Sequence, residues 1–336
     1  MKAIHLNGPS IDQLQTVDAE TPRPGHGEVL IRQRAVSLNY LDLAIARGQF
    51  GPGRFPIVPG ADSAGDIVAL GAGVDGWALG ERVAVGTMLR WQAGALFPAA
   101  HAQLRGVTVD GGLAEYAAVP AAALVRVPAH LDWIEAATLP IAATTAWNAI
   151  VKGGVRPGST VLLLGTGGVS LVALQLAKAA GARVIVTSSS HDKLARVRAL
   201  GADDLIHYGD TPAWDEEVLR LTGGHGADLV LESVGAATFA RSLNAAAYGA
   251  TVFVIGFVGG ADLNIPVLPI MLKTLTIQGN NTGSTADLRA AAQAIGAAGI
   301  RPVIDRVFAW SQTQDAYRYL AGAGHVGKVV IELAVA

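Results

Sequence analysis

Two short stretches of this 336-residue chain carry residue types at spacings that could do chemistry. The first reads Val161-Leu162-Leu163-Leu164-Gly165-Thr166-Gly167-Gly168-Val169-Ser170 and leads into a helix-periodic segment. An apolar strand that ends in glycines where a helix begins lets the backbone approach a pyrophosphate. The helix N-terminus adds N–H donors and a partial positive charge. Ser170 stands where the usual fingerprint has its third glycine, a position that serves close helix–strand packing. An ordinary tight turn is the alternative, but the setting within a series of strand–helix units favours a nucleotide site.

The second stretch refines which nucleotide. The next apolar run, 183–187, continues into Ser188-Ser189-Ser190-His191-Asp192-Lys193. An NAD site usually has a carboxylate here, roughly 20 residues past the first glycine, bonding the ribose 2′-OH. Small hydroxyls take that place, and Lys193 and Arg196 supply positive charge for a 2′-phosphate. NADP(H) is therefore favoured over NAD(H). The alternative is that Ser190 caps the helix and Lys193 is a solvated surface charge, with Asp192 facing the helix dipole.

The elements that must hold these residues change character along the chain. Residues 28–36, 66–71 and 81–85 are strand candidates separated by Gly and Pro clusters, which predicts a small irregular barrel. From 159 onward, apolar runs at 161–164, 184–187, 205–207, 229–231 and 252–255 alternate with helical patterns at 171–180, 192–200, 214–222 and 238–247, and 275–278 can add a sixth strand. Strands without alternation, spaced by helices, predict a doubly wound parallel sheet covered on both faces. Helices at 286–298 and 314–321 and strands at 302–307 and 328–333 are expected to return to the first domain.

Composition narrows the classes further. Twenty-five Lys and Arg against 27 Asp and Glu leave a net charge of −2, which gives no basic excess for nucleic acid. Hydrophobic residues make up 51% and charged ones 15%, so disorder is excluded and a membrane reading must be tested. The uncharged stretches 159–177 and 242–261 are long enough to span a bilayer, yet glycine clusters interrupt both. The first residues lack a signal-peptide pattern, so a cytoplasmic protein is expected. There is no cysteine, which removes disulfides, thiolate nucleophiles and cysteine-ligated zinc together.

Several separated blocks make the chain similar to the medium-chain dehydrogenase/reductase superfamily. They are Gly27-Glu28-Val29-Leu30-Ile31, Leu38-Asn39-Tyr40-Leu41-Asp42, Pro59-Gly60-Ala61-Asp62-Ser63-Ala64-Gly65, Asp110-Gly111-Gly112-Leu113-Ala114-Glu115-Tyr116, the glycine turn, and Gly327-Lys328-Val329-Val330. The resemblance implies a GroES-like β-barrel domain built from both chain ends, 1–123 and 280–336, which carries the substrate site. It implies a central Rossmann domain at 124–279 for a nicotinamide cofactor, with the active site in the cleft between the two. Zinc-type members place a Cys near the position of Asn39 and a Gly-His-Glu where this chain has Gly60-Ala61-Asp62. The four-cysteine lobe of such members is replaced by 88–110, and the eight histidines are scattered singly. A zinc held by His and carboxylate alone is the remaining metal alternative. What is left resembles the zinc-free quinone oxidoreductase-like branch, with its Asn-x-x-Asp motif at Asn39 and Asp42. That branch's Lys and Tyr near the 2′-phosphate correspond to Lys193 and Tyr208. Ala44 stands where it often carries a tyrosine, which opens the pocket and weighs against a plain quinone reductase.

These implications give a set of expectations. The reaction is hydride transfer from NADP(H) to a quinone or an α,β-unsaturated carbonyl, which needs little electrophilic help. Asn39, Tyr40 and Asp42 are the candidate catalytic residues, although Asn39 could equally stabilise its turn, Asp42 order its loop and Tyr40 pack in the core. Asn148 is a further polar candidate. Expected cofactor contacts are Thr145, Gly165, Thr166, Gly167, Gly168, Val169, Ser188, Ser189, Lys193, Tyr208, Gly256 and Lys328. Trp91, Phe97 and Trp147 could wall an apolar pocket or simply pack. No metal is expected, and the partner is a small-molecule substrate rather than nucleic acid or membrane. A zinc-free alcohol dehydrogenase or ketone reductase using Tyr40 as proton donor, and a non-catalytic NADP(H)-binding sensor, are the competing readings. A homodimer joined through 251–258 and 275–279 is expected from the family.

Overall fold

The computed structural model describes residues 1–49 and 54–333. The chain divides into two compact units, Met1–Thr144 with Thr282–Ala336, and Thr145–Asn281.

The first unit begins with an antiparallel hairpin of β1 (Lys2–Leu6) and β2 (Leu14–Asp18). Strand β3 (Glu28–Leu38) alternates buried and half-buried residues over most of its length, as a strand with one face on a core does. It runs into the short helix α1 (Tyr40–Ala46). Then come β4 (Asp62–Leu70), β5 (Arg82–Val85), β6 (Tyr116–Pro120), β7 (Leu124–Arg126) and helix α2 (Trp133–Ala136).

The second unit opens on α3 (Thr144–Lys152) and alternates strictly thereafter: β8 (Thr160–Leu164), α4 (Gly168–Ala179), β9 (Arg183–Ser188), α5 (His191–Ala199), β10 (Asp204–His207), α6 (Trp214–Leu221), β11 (Ala227–Glu232), α7 (Phe239–Ala245), β12 (Ala246–Val254), α8 (Val267–Leu272) and β13 (Thr276–Gly279). The sheet order is β10-β9-β8-β11-β12-β13 and every pairing is parallel. Strand β8, Thr-Val-Leu-Leu-Leu, is buried at all five positions, which is why its sequence shows no alternation. Leu162, Ile185, Val230 and Val252 from neighbouring strands form a core with Trp214, Phe239 and Leu243 from the covering helices.

The chain then returns to the first unit through α9 (Thr285–Ala298), β14 (Ile304–Ala309), α10 (Thr313–Ala321) and β15 (Lys328–Glu332). The sheet there runs β14-β15-β3-β4-β5-β7, with β6 also on β3. All of its pairings are antiparallel except β14 with β15. Because β7 pairs with β5 (Val83 opposite Arg126), residues 124–126 belong to this unit. The first boundary therefore lies at Thr144/Thr145 rather than 123/124, and the second at Asn281/Thr282 rather than 279/280. Among the described residues no helix is long and apolar enough to cross a membrane.

Candidate functional site

Sheet register assembles a buried charged cluster at one end of β3 in the first unit. Strand β15 runs antiparallel to β3 with Val329 opposite Leu38, so Lys328 falls beside Asn39. On the other side β4 begins with Asp62 opposite Ser37. Three residues far apart in sequence thus meet where the three strands start or end. Gly327 enters β15 at φ +91°, and a Cβ there would lie 2.2 Å from the Val303 carbonyl oxygen, so only glycine fits this entry.

The bonds inside the cluster are specific. The Lys328 ammonium donates to the Leu38 carbonyl at 2.8 Å and to Asn39 Oδ1 at 2.6 Å, and lies 3.8 Å from Asp62 Oδ2. Asn39 Nδ2 donates to Asp62 Oδ2 at 2.9 Å. Asp42 accepts the backbone N–H of Asn39 at 2.8 Å and that of Ala61 at 3.0 Å, tying the start of α1 to the turn before β4. Arg105, fully buried, donates to Ser63 Oγ at 2.7 Å. Two cations and two carboxylates are therefore enclosed together, and their formal charges cancel.

Burial dominates the electrostatics. It pushes the Asp62 carboxyl up to about 7, against the pull of the Lys328 ammonium and the Asn39 amide, while Asp42 adds to the rise. Asp42 is raised by burial and partly restored by the two backbone N–H bonds. Burial lowers Lys328, opposed by both aspartates, and brings Arg105 down to about 10, opposed by Asp62. Tyr317 on α10 is also fully buried, and burial plus the Asp42 charge raises its hydroxyl well above the ordinary value.

This donor set does not suit zinc. Asn39 stands where zinc-type chains carry the first ligand, but its carbonyl oxygen already holds an ammonium and its amide hydrogens face Asp62 and the Ser37 carbonyl. Ala61, at the histidine position, has no side-chain donor. One carboxylate remains, with a lysine 3.8 Å away that would repel a dication.

In the second unit the expected cofactor residues other than Thr145 fall at or just beyond the C-terminal ends of β8, β9, β10 and β12. Gly165 sits at φ +80° and so requires glycine. Gly167, the residue before α4, has φ −77°, which any residue can adopt, and a Cβ there would meet nothing within 4 Å. Protein packing does not demand glycine at 167; the space in front of it is open. No side chain caps α4, which leaves its first N–H groups for an anion. Ser170 is buried and its hydroxyl donates to the Leu164 carbonyl at 3.3 Å, so a serine meets the close-packing need of the third glycine position. Ser233 donates to the same carbonyl at 2.7 Å, cross-tying β8 and β11 where the strand order reverses.

At the end of β9, Ser188 is buried, Ser189 is exposed and Ser190 caps α5 by accepting the Lys193 N–H at 3.4 Å. Ser190 is thus a cap, as the alternative held, and no carboxylate stands between 188 and 191. Tyr208 is brought alongside by its N–H on the Ser188 carbonyl at 3.0 Å, with its side chain exposed. Thr145 and Asn148 are buried on α3 and Trp147 is half-buried there.

Three expectations need correction. Asn39 does not present its amide outward; its amide is consumed inside the cluster, so it positions rather than polarises. Lys328 was expected on the cofactor, but its ammonium is buried among Leu38, Asn39 and Asp62. Gly256, expected as a cofactor contact, also has a packing requirement of its own, since a Cβ there would lie 2.0 Å from the Ser233 carbonyl oxygen. Trp91 is not a free pocket wall: it is buried with Met88, Ala100 and Leu104, and its indole N–H donates to the Gly94 carbonyl at 3.0 Å. Phe97 and Tyr40 do retain exposed surface. Arg105, Asp62 and Tyr317 join the buried cluster without having been expected there. Only Asp62 left a trace in the sequence, as the acid of the Gly60-Ala61-Asp62 substitution.

Comparison with known proteins agrees with this architecture. Residues 25–129 match the model of the alcohol dehydrogenase GroES-like domain, and 168–297 match that of the zinc-binding dehydrogenases. A zinc-type alcohol dehydrogenase-like protein of Schizosaccharomyces pombe is 40% identical over 98% of both chains. An acryloyl-coenzyme A reductase of Sulfurisphaera tokodaii is 28% identical over 99% of this chain and 100% of its own. The crystal structure of a putative alcohol dehydrogenase from Sinorhizobium meliloti 1021 superposes with a TM-score of 0.92 at 37% identity, covering 99% of each chain.

Proposed function

The chain belongs to the medium-chain dehydrogenase/reductase superfamily, and from that premise we propose a zinc-independent, NADP(H)-dependent reductase of quinones or α,β-unsaturated carbonyls. That it is a nicotinamide-dependent oxidoreductase follows from its relatives. One observation carries the finer reading: the place that zinc-type chains equip with metal ligands holds the Lys328 ammonium, bonded to Asn39 at 2.6 Å. Without a Lewis acid, hydride acceptors that spread charge over a conjugated system are the suitable ones. The acryloyl-coenzyme A reductase relative, whose named substrate is a conjugated thioester, supports the same class.

Bound nicotinamide supplies the hydride; the protein supplies placement. The open space at Gly167 and the uncapped start of α4 suit the pyrophosphate. Ser188, Ser189 and Lys193, with no carboxylate from 188 to 191 and Asp192 inside the first turn of α5, suit a ribose 2′-phosphate. In the first unit, Asp42 and Asn39 fix the first turn of α1, and with it the exposed Tyr40. We assign Tyr40 the role of steadying or protonating the acceptor oxygen as it gains charge. NADPH oxidation followed by absorbance with a quinone, an enone and a ketone in parallel, with and without chelator, tests the reading. Turnover of the first two, insensitive to chelator, is expected. Turnover of ketones or aldehydes alone, or its loss on chelation, overturns it.

A further inference from the structure

A second constellation lies outside the cluster and the glycine turn. His191 opens α5, and His207 ends β10 with Asp210 just beyond it. The two imidazoles stack with centroids 4.0 Å apart and planes within 15°. Asp210 Oδ2 reaches both, at 2.9 Å from His191 Nε2 and 3.1 Å from His207 Nδ1. One ligand atom from each of the three residues falls in a group no wider than 4.8 Å.

The hydrogen bonds around His207 decide what that geometry means. Its Nε2 lies 2.8 Å from the Ser189 carbonyl oxygen, which can only accept, so Nε2 carries a proton. Its Nδ1 takes the Asp210 backbone N–H at 3.1 Å, so Nδ1 presents a lone pair. That lone pair then faces a carboxylate oxygen at 3.1 Å, a conflict that a cation between them, a metal ion or a proton, resolves. Donation of the other ring N–H to a backbone carbonyl is also the outer-shell arrangement that orients metal-ligating histidines. When Nδ1 turns to a metal, the Asp210 N–H keeps the His207 carbonyl, 3.1 Å away.

We propose that His191 Nε2, His207 Nδ1 and Asp210 Oδ2 form a surface site for a divalent transition metal of the Zn2+, Co2+ or Ni2+ class, with water completing the coordination. Two imidazoles and one carboxylate match the preferences of these ions and not of Mg2+ or Ca2+. His191 and Asp210 are mostly exposed and free to draw in, while His207 is held by the Ser189 carbonyl. The start of α5 carries a partial positive charge that opposes a cation, and Asp192 in the same turn, with Asp210, offsets it. Such an ion clamps the first turn of α5 to the loop after β10. The site shares the β9–α5 turn with Ser189 and Lys193, the proposed 2′-phosphate contacts, so metal binding is read on protein free of cofactor.

Cobalt titration of tag-free, chelator-stripped protein tests this. One equivalent of Co2+ should bind with a visible d–d absorption that Zn2+ abolishes by displacement. His191→Ala and Asp210→Asn should each weaken binding at least tenfold with unchanged circular dichroism, since both side chains are exposed. A proton in place of the metal would make the trio an imidazolium ion pair. In that case no stoichiometric cobalt spectrum develops, and the proposal fails. Cobalt binding that persists in His191→Ala overturns it equally.

Discussion

At the residue scale, each titratable group has a consequence that can be measured. Asp62 has its folded pKa raised to about 7 from an ordinary value near 3.8. Between those values the folded state binds more protons than the unfolded one, so this group's contribution to stability falls as pH rises from about 4 to about 7. Asp62→Asn removes the proton uptake. The melting temperature of the variant relative to the parent should therefore climb across that window; a difference that stays flat contradicts the assignment. Lys193→Ala should weaken NADPH binding about tenfold while leaving NADH unchanged, the worth of one charge-assisted contact. A parent that binds both cofactors equally refutes the 2′-phosphate reading. Residue types at short spacing were legible from the sequence, because the glycine turn and the hydroxyl run are local. The partners of Asn39 were not, since Lys328 lies 289 residues away and reaches it only through strand register.

At the element scale, two glycines of the second unit differ in kind, and their alanine variants should separate. At Gly256 a methyl group would press on the Ser233 carbonyl oxygen at 2.0 Å, so Gly256→Ala should cost about 1–3 kcal/mol in urea unfolding. At Gly167 a methyl group meets open space, so Gly167→Ala should stay within about 1 kcal/mol of the parent while NADPH affinity drops sharply. Equal stability losses would sink the distinction. The sequence distinguishes neither glycine from the other, because the obstacle at 256 belongs to a different strand–helix loop. Elements themselves read clearly: every strand and helix expected from 159 to 333 is present to within a few residues, apart from β12, which begins six residues earlier than its apolar core at 252 suggests. The barrel strands of the first unit alternate less cleanly, which is why β7 fell on the wrong side of the expected boundary.

At the scale of the whole molecule, the second unit ends its sheet on β13, whose outer edge pairs with no strand among the described residues. Val267, Leu268, Met271 and Leu272 on α8 and Ile277 on β13 are exposed and apolar. We propose that a second copy covers them, edge to edge. Sedimentation should give twice 34.4 kDa, and Leu272→Asp with Ile277→Lys should shift it to the single-chain mass. A parent that sediments as one chain removes the proposal.

The position of Lys328 also orders events during synthesis. Asn39, Asp42 and Asp62 leave the ribosome long before the strand that carries their cation. Until β15 is made, two carboxylates bound for the interior have Arg105 but not Lys328 as a cation of the cluster, and β3 has an open edge where β15 will pair. The first unit therefore cannot close as it is translated. It must wait, partly folded, while the entire second unit is built, and a chain stalled short of Lys328 leaves that stretch of β3 unpaired.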